Sequence, residues 1–124
     1  MERHKTVVIV EDEEDFCEIL SCLFQKAGYR TRVAGDGENG LRCIEETHPD
    51  LVILDLSLPR MSGEEVCREL KDSYDKSLAS IPVIVVTAKD SDADRLATKA
   101  MGADAYITKP FSLTSLMDEA LKLT

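Results

Sequence analysis

The stretch VVIVEDEED, residues 7–15, decides the class of fold because a short apolar run passes directly into a group of acids. The four β-branched residues at 7–10 are too few for a buried helix and fit a strand that is covered on both faces. Apolar residues then recur at helical spacing, at Phe16, Ile19, Leu20, Leu23 and Phe24. Gly28 follows them as a C-terminal cap. The first unit of the chain is therefore a strand followed by a helix.

The same unit recurs along the rest of the chain. Further strands are predicted at residues 29–34, 51–54, 83–86 and 105–107, the first of them alternating like an edge strand. A helix is predicted after each, with apolar positions at Leu41 and Ile44, at Val66 and Leu70, at Ala93, Leu96, Ala97 and Ala100, and at Leu113, Leu116, Met117, Ala120 and Leu121. Ser62 is expected to cap the third helix, Gly102 to end the fourth, and residues 71–80 to form a polar loop. This alternation predicts an α/β fold with a parallel, doubly wound sheet of five strands and helices on both faces.

The length of 124 residues fits one domain, which we expect to span residues 1–124. No apolar run reaches the roughly 18 residues of a membrane span, and the N-terminus MERHKT lacks the apolar stretch of a signal peptide. We therefore expect a soluble, cytoplasmic protein without membrane attachment.

Charge and cysteine content exclude other classes. The formal net charge of −9 argues against direct nucleic-acid binding, which requires clustered Lys and Arg. The four cysteines are Cys17, Cys22, Cys43 and Cys67. They show neither CxxC spacing nor a nearby histidine pair, so we expect reduced thiols in or beside the core rather than a zinc or redox site.

Polar residues that can carry chemistry follow the apolar strands. In parallel sheets of this class, ligands bind outside the carboxyl ends of the strands. The residues at these ends are Glu11 and Asp12, Asp55, Thr87, and Lys109 followed by Pro110. Each alone has a structural explanation, such as a helix N-terminal charge, a turn residue, a cap or a solvated lysine. Their joint appearance at successive strand ends predicts a functional site.

Three carboxylates at one site require a compensating charge. Carboxylates about 5 Å apart repel each other by roughly 3 kcal/mol per pair at an effective dielectric constant near 20. A hard divalent cation, Mg²⁺ or Mn²⁺, offsets this repulsion and also accepts water and phosphate oxygens. Asp55 would then take a phosphoryl group, whose oxygens Lys109 and Thr87 would hold by charge and hydrogen bonding.

Four stretches carry a resemblance to a known family, in the order and spacing of that family. They are VVIVEDEEDF at 7–16, LVILDLSLPRMSGEEV at 51–66, IPVIVVTAKD at 81–90 and GADAYITKPF at 102–111. With them the chain resembles a response-regulator receiver domain of two-component signalling, similar to CheY, over essentially its whole length. The resemblance implies a flavodoxin-like sheet with the strand order 2-1-3-4-5.

The resemblance also implies roles for individual residues of the site. Asp55 matches the phosphoacceptor and Lys109 the lysine that binds the phosphoryl group. Asp12 matches a direct ligand of the metal, Glu11 a neighbour that acts largely through water, and Ser57 a ligand through its backbone carbonyl. The implied donor is a histidine kinase or a histidine phosphotransfer protein. The implied activity is self-catalysed phosphotransfer with slow autodephosphorylation, not that of an enzyme with turnover.

The remaining matches concern switching and lifetime. Thr87 matches the switch hydroxyl and Tyr106 the switch aromatic, which turns inward as the surface of the fourth helix, fifth strand and fifth helix is remodelled for a downstream partner or effector domain. The bond between Lys109 and Pro110 is expected to be cis. Lys89 borders the path of the hydrolytic water and is expected to influence the lifetime of the phosphoryl group.

The chain departs from the family pattern at three positions. Glu11 stands where many members have Asp, which keeps the charge. Ala105 and Glu119 stand where receivers that dimerise through the last two helices carry an acid and a base. One partner of a charge pair is missing and the other is reversed, so we expect a monomer.

Three other functions fit part of the pattern. A flavodoxin-like electron carrier would share the fold, but the acids after the first strand would repel its phosphate. A phosphatase with an aspartyl nucleophile would need a second acid two residues after Asp55, where Ser57 stands. A receiver that serves only as a scaffold would not need the intact set of acids.

Overall fold

The computed structural model describes residues 4–88 and 91–124. The strands are β1 (Thr6–Val10), β2 (Arg30–Ala34), β3 (Leu51–Leu54), β4 (Val83–Thr87) and β5 (Ala105–Thr108). All pair in parallel in one sheet with the order β2-β1-β3-β4-β5, so the predicted fold and order are confirmed. The predicted edge position of the second strand is also confirmed, because β2 pairs with β1 alone in the described sheet.

The helices are α1 (Glu14–Lys26), α2 (Gly37–Thr47), α3 (Gly63–Lys71), α4 (Lys76–Ala79), α5 (Asp92–Ala100) and α6 (Leu113–Leu123). The predicted loop at 71–80 is wrong in part, because it contains α4. Asp75 caps this short helix by accepting the Ser77 N–H at 2.9 Å, and Leu78 is buried. The fourth and fifth predicted helices are therefore α5 and α6. No helix in the described part of the chain has the length and apolar character needed to cross a membrane.

Two apolar cores cover the two faces of the sheet. Alternate residues of β1 point to opposite sides, so Val8 and Val10 join one core while Val7 and Ile9 join the other. The first core is closed by α2 and α3, and the second by α1 and α6. Burial on both faces explains why the central strands have apolar runs rather than alternating sequences.

Helix ends follow the local sequence signals. The Ser62 hydroxyl accepts the Glu65 N–H at 3.2 Å at the start of α3, as predicted. Gly28 and Gly102 follow α1 and α5 with φ of +94° and +97°, in the left-handed region that glycine adopts without strain. These caps set where each chain segment turns back toward the sheet.

The predicted apolar face of α5 is wrong. Its members Ala93, Leu96, Ala97 and Ala100 are exposed, and Leu96 is 68% exposed. The helix instead buries Thr98, whose hydroxyl donates to the carbonyl of Asp94 at 2.8 Å and so needs no water. A threonine can form the packed face of a helix when its hydroxyl is hydrogen-bonded within that helix. The spacing of small apolar residues therefore does not identify the packed face of α5.

Candidate functional site

The strand order brings the predicted acids together. β1 and β3 are neighbours, so Glu11 and Asp55, which follow them, meet at the same edge of the sheet. A carboxylate oxygen from each of Glu11, Asp12 and Asp55 lies within 4.8 Å of the others. Glu11 and Asp55 are only 3% and 6% exposed, whereas Asp12 is open to solvent. Two buried acids and one exposed acid therefore line one small volume.

Lys109 lies between the two buried acids. Its Nζ donates to Glu11 Oε1 at 2.5 Å and to Asp55 Oδ2 at 3.2 Å, and it stands 4.2 Å from the centre of the Phe16 ring. Burial disfavours the ammonium, but the hydrogen bond to Glu11 and the charge of Asp55 outweigh it and raise the pKa of Lys109. Lys109 therefore remains a cation, and its ammonium contacts Asp55 Oδ2.

One ammonium does not balance the three acids. Burial, and then the charge of Asp55, raise the pKa of Glu11 to about 7, although the hydrogen bond from Lys109 lowers it. Three carboxylates face one ammonium here, so the site is short of positive charge. Oxygen ligands at this spacing are those that a hard divalent cation accepts, so the residues fit a magnesium or manganese ion.

The backbone around Asp55 fixes its carboxylate. Asp55 Oδ1 accepts the Ser57 N–H at 3.1 Å, and the Asp55 N–H donates to the Val10 carbonyl at 3.1 Å. The start of α3 approaches so closely that a Cβ on Gly63 would stand 2.1 Å from the Asp55 carbonyl oxygen. Ser57 is exposed beside this turn, and the role of its carbonyl as a metal ligand stays a prediction.

Thr87 and Tyr106 lie on the last two strands. Thr87 is fully buried at the end of β4, and its carbonyl accepts the Lys109 N–H at 2.8 Å. Tyr106 is partly buried against the core closed by α2 and α3. The peptide between Lys109 and Pro110 is cis. Lys89 lies outside the described residues.

Sequence reasoning missed three neighbours of the site. The helical spacing predicts Phe16 only as a core position of the first helix, but its ring lies under the Lys109 ammonium. The Cys17 thiol, expected to be a reduced core group, donates to the Glu11 carbonyl at 3.2 Å, and burial followed by the charge of Glu11 raises the pKa of this thiol to about 11. Arg95 stacks on the Tyr106 ring at 5.1 Å. The local sequence pattern does not predict these contacts, because they join elements that are distant in the chain.

Similar proteins agree with this geometry. Residues 7–121 match the family model of the response regulator receiver domain. The sensory transduction protein RegX3 of Mycolicibacterium smegmatis is 44% identical over 112 residues, which cover 90% of this chain and 47% of RegX3. The chain thus spans about half the length of that relative.

Solved structures show the same fold. The signal receiver domain of a histidine kinase from Syntrophus aciditrophicus is 34% identical with a TM-score of 0.87, over 96% of this chain and 89% of that one. The receiver domain of a sensor histidine kinase from Pseudomonas aeruginosa PAO1, which has a magnesium ion in its active-site cleft, is 24% identical with a TM-score of 0.87, over 98% of each chain. The chain therefore belongs to the response regulator receiver domain family and is a receiver domain of two-component signalling.

Proposed function

We propose that Asp55 accepts a phosphoryl group from a phosphohistidine, in a reaction that requires Mg²⁺ or Mn²⁺. One observation carries this proposal. The buried Asp55 carboxylate is held by the Lys109 ammonium on one oxygen and by the Ser57 N–H on the other, beside Glu11 and Asp12. A carboxylate fixed in this way presents an oxygen lone pair in a defined direction, as a nucleophile must.

The transfer is a displacement at phosphorus. An oxygen of Asp55 forms the new bond, the bond from phosphorus to the donor nitrogen breaks, and the electron pair leaves with the imidazole, which takes up a proton. Lys109 already contacts Asp55 Oδ2 and is placed to hold a phosphoryl oxygen as charge shifts onto it. The Thr87 hydroxyl, at the end of the neighbouring strand, is assigned to a second phosphoryl oxygen.

The metal belongs to the same site. Glu11, Asp12, Asp55 and the Ser57 carbonyl would hold it, with Glu11 acting largely through water. When bound, the cation supplies positive charge that neutralises the acids and the transferred phosphoryl oxygens. The magnesium ion of the Pseudomonas aeruginosa receiver domain, which shares this fold, supports the choice of metal.

The partners follow from this chemistry. The donor is a histidine kinase or a histidine phosphotransfer protein in the cytoplasm, and the output is a downstream protein or an effector domain. Residues 1–124 act as a single receiver domain, without direct binding of nucleic acid or membrane. Autodephosphorylation is slow, because Ser57 rather than an acid stands two residues after Asp55.

The test uses a small acyl phosphate as donor, so no protein partner is needed. Intact-protein mass spectrometry with magnesium should show one added phosphoryl group in the wild type. Asp55→Asn should gain none, whereas Asp118→Asn, which removes an exposed acid on α6, should label like the wild type. Chelation of the metal should stop labelling. Equal labelling of Asp55→Asn, or labelling that ignores chelation, would overturn the proposal.

A further inference from the structure

Arg95 connects α5 to the last strand through two separate contacts. Its guanidinium carbon lies 5.1 Å from the centre of the Tyr106 ring, and its Nη2 donates to Thr108 Oγ1 at 2.8 Å. Tyr106 and Thr108 are two residues apart on β5 and therefore face the same side of the sheet. One arginine side chain thus spans the strand segment that ends at the functional site.

Little else on α5 holds it to the sheet by burial. Thr98 is the one buried residue of this helix, and Leu96 points to solvent with 68% of its surface exposed. A cavity of about 240 Å³ lies between α5 and β5, with Arg95, Lys99 and Tyr106 among its lining residues. The Tyr106 ring therefore borders a cavity on this side, and the Arg95 guanidinium stacks on it from α5.

The strand joins this contact to the chemistry. Thr108 pairs in register with Thr87, and the next residue is Lys109, whose ammonium contacts both Glu11 and Asp55. A phosphoryl group on Asp55 would give Lys109 a new anionic partner in place of one carboxylate. Thr108 adjoins Lys109 in the chain and accepts the Arg95 hydrogen bond, so it links the Lys109 backbone to Arg95.

We propose that Arg95 is a positioning residue that holds Tyr106 and α5 against β5 while Asp55 is unmodified. Modification of Asp55 releases this contact, so that the Tyr106 ring and α5 can move relative to β5. The proposal rests on the proposed function of Asp55 and adds a residue through which that function reaches the surface. Arg95 biases a two-state element and takes no part in phosphoryl transfer.

The test compares Arg95→Met with Lys99→Met, which removes one positive charge from the same helix and the same cavity. The protein is labelled with fluorotyrosine, and the chain has three tyrosines, so Tyr106→Phe identifies the relevant ¹⁹F signal. Beryllofluoride serves as a mimic of the phosphoryl group. In the unmodified protein, Arg95→Met should move the Tyr106 signal toward its position in the beryllofluoride-bound wild type.

The second readout is affinity. Because coupling is reciprocal, Arg95→Met should bind beryllofluoride with magnesium about fivefold more tightly than the wild type. Lys99→Met should match the wild type in both measurements. Arg95→Lys keeps the charge but loses the planar fork, so it should resemble Arg95→Met in the Tyr106 signal.

Distinct results overturn distinct claims. A Tyr106 signal in Arg95→Met that coincides with that of Lys99→Met would refute the Arg95 contact, and a moved signal without tighter binding would refute its regulatory role. Failure of the wild type to bind beryllofluoride would instead refute the proposed function and, with it, the release step. Arg95 is exposed, and circular dichroism of each variant confirms that the comparison is made between folded proteins.

Discussion

Replacing Glu11 by Gln should remove a pH dependence from the stability of the metal-free protein. Burial and the charge of Asp55 raise the pKa of Glu11 from 4.5 to about 7 in the folded chain. Between these values the folded state holds a proton that the unfolded state has released. The free energy of unfolding therefore falls as the pH rises through this window.

The size of the effect follows from the shift. Each pKa unit corresponds to about 1.4 kcal/mol, so the stabilisation present below the unfolded pKa falls by about 3 kcal/mol once the pH exceeds the folded pKa. Gln cannot ionise, and its carbonyl still accepts from Lys109. The variant should lie within about 1 kcal/mol of the wild type at about pH 5 and be more stable by about 3 kcal/mol at about pH 8.

The assay is urea unfolding in the presence of a chelator at both pH values. Glu18→Gln, which removes an exposed acid from α1, serves as the control and should track the wild type. Magnesium added at the higher pH should stabilise the wild type and narrow its difference from Glu11→Gln, because the cation takes over the role of the missing charge. The reasoning is refuted if the difference between wild type and Glu11→Gln is the same at both pH values.

Three further predictions concern packing, switching and assembly. Gly63→Ala should lose about 1–3 kcal/mol of stability and label more slowly, because the new Cβ would meet the carbonyl of Asp55. Gly35→Ala should unfold like the wild type, because a Cβ at that position has no neighbouring atom within 4 Å. Thr87→Ala should still accept the phosphoryl group but show smaller NMR shifts at α5 and α6 on labelling, because we propose that the Thr87 hydroxyl senses the phosphoryl group. Sedimentation should show a monomer with and without beryllofluoride, because Ala105 lacks the acid and Glu119 reverses the base of the dimerising charge pair.

Each of these has a result that contradicts it. Equal free energies of unfolding for Gly63→Ala and Gly35→Ala would show that the backbone after β3 can shift to accommodate the Cβ without loss of stability. NMR shifts in Thr87→Ala as large as in the wild type would remove Thr87 from the switch. An activated dimer formed through α5 and α6 would overturn the argument from Ala105 and Glu119.

The strands were predictable because burial dictates their composition. The runs at 7–10 and 51–54 became β1 (Thr6–Val10) and β3 (Leu51–Leu54), since β-branched and apolar residues fill both faces of a covered strand. The short α4 was not predictable from periodicity, because four residues make barely one turn. The packed side of α5 also escaped prediction, since Thr98 looks polar in sequence yet satisfies its hydroxyl within the helix.

The site was predictable to the level of topology. Acids placed after neighbouring parallel strands must converge, and Glu11, Asp12 and Asp55 do so. The pairing of these side chains depends on packing between elements that are far apart in the chain. The spacing of residues in the sequence does not predict such packing. The position of Lys109 over Phe16 and the stacking of Arg95 on Tyr106 join helices and strands that are far apart in the chain.

The central claim is that Asp55 itself becomes the acyl phosphate. The direct measurement is reduction of the labelled protein with borohydride, which converts an aspartyl phosphate to homoserine, followed by peptide mass spectrometry. The account predicts homoserine at position 55 in the magnesium-treated wild type, and none without donor or after chelation. Homoserine at Asp12 or at another aspartate, with Asp55 unmodified, would contradict it.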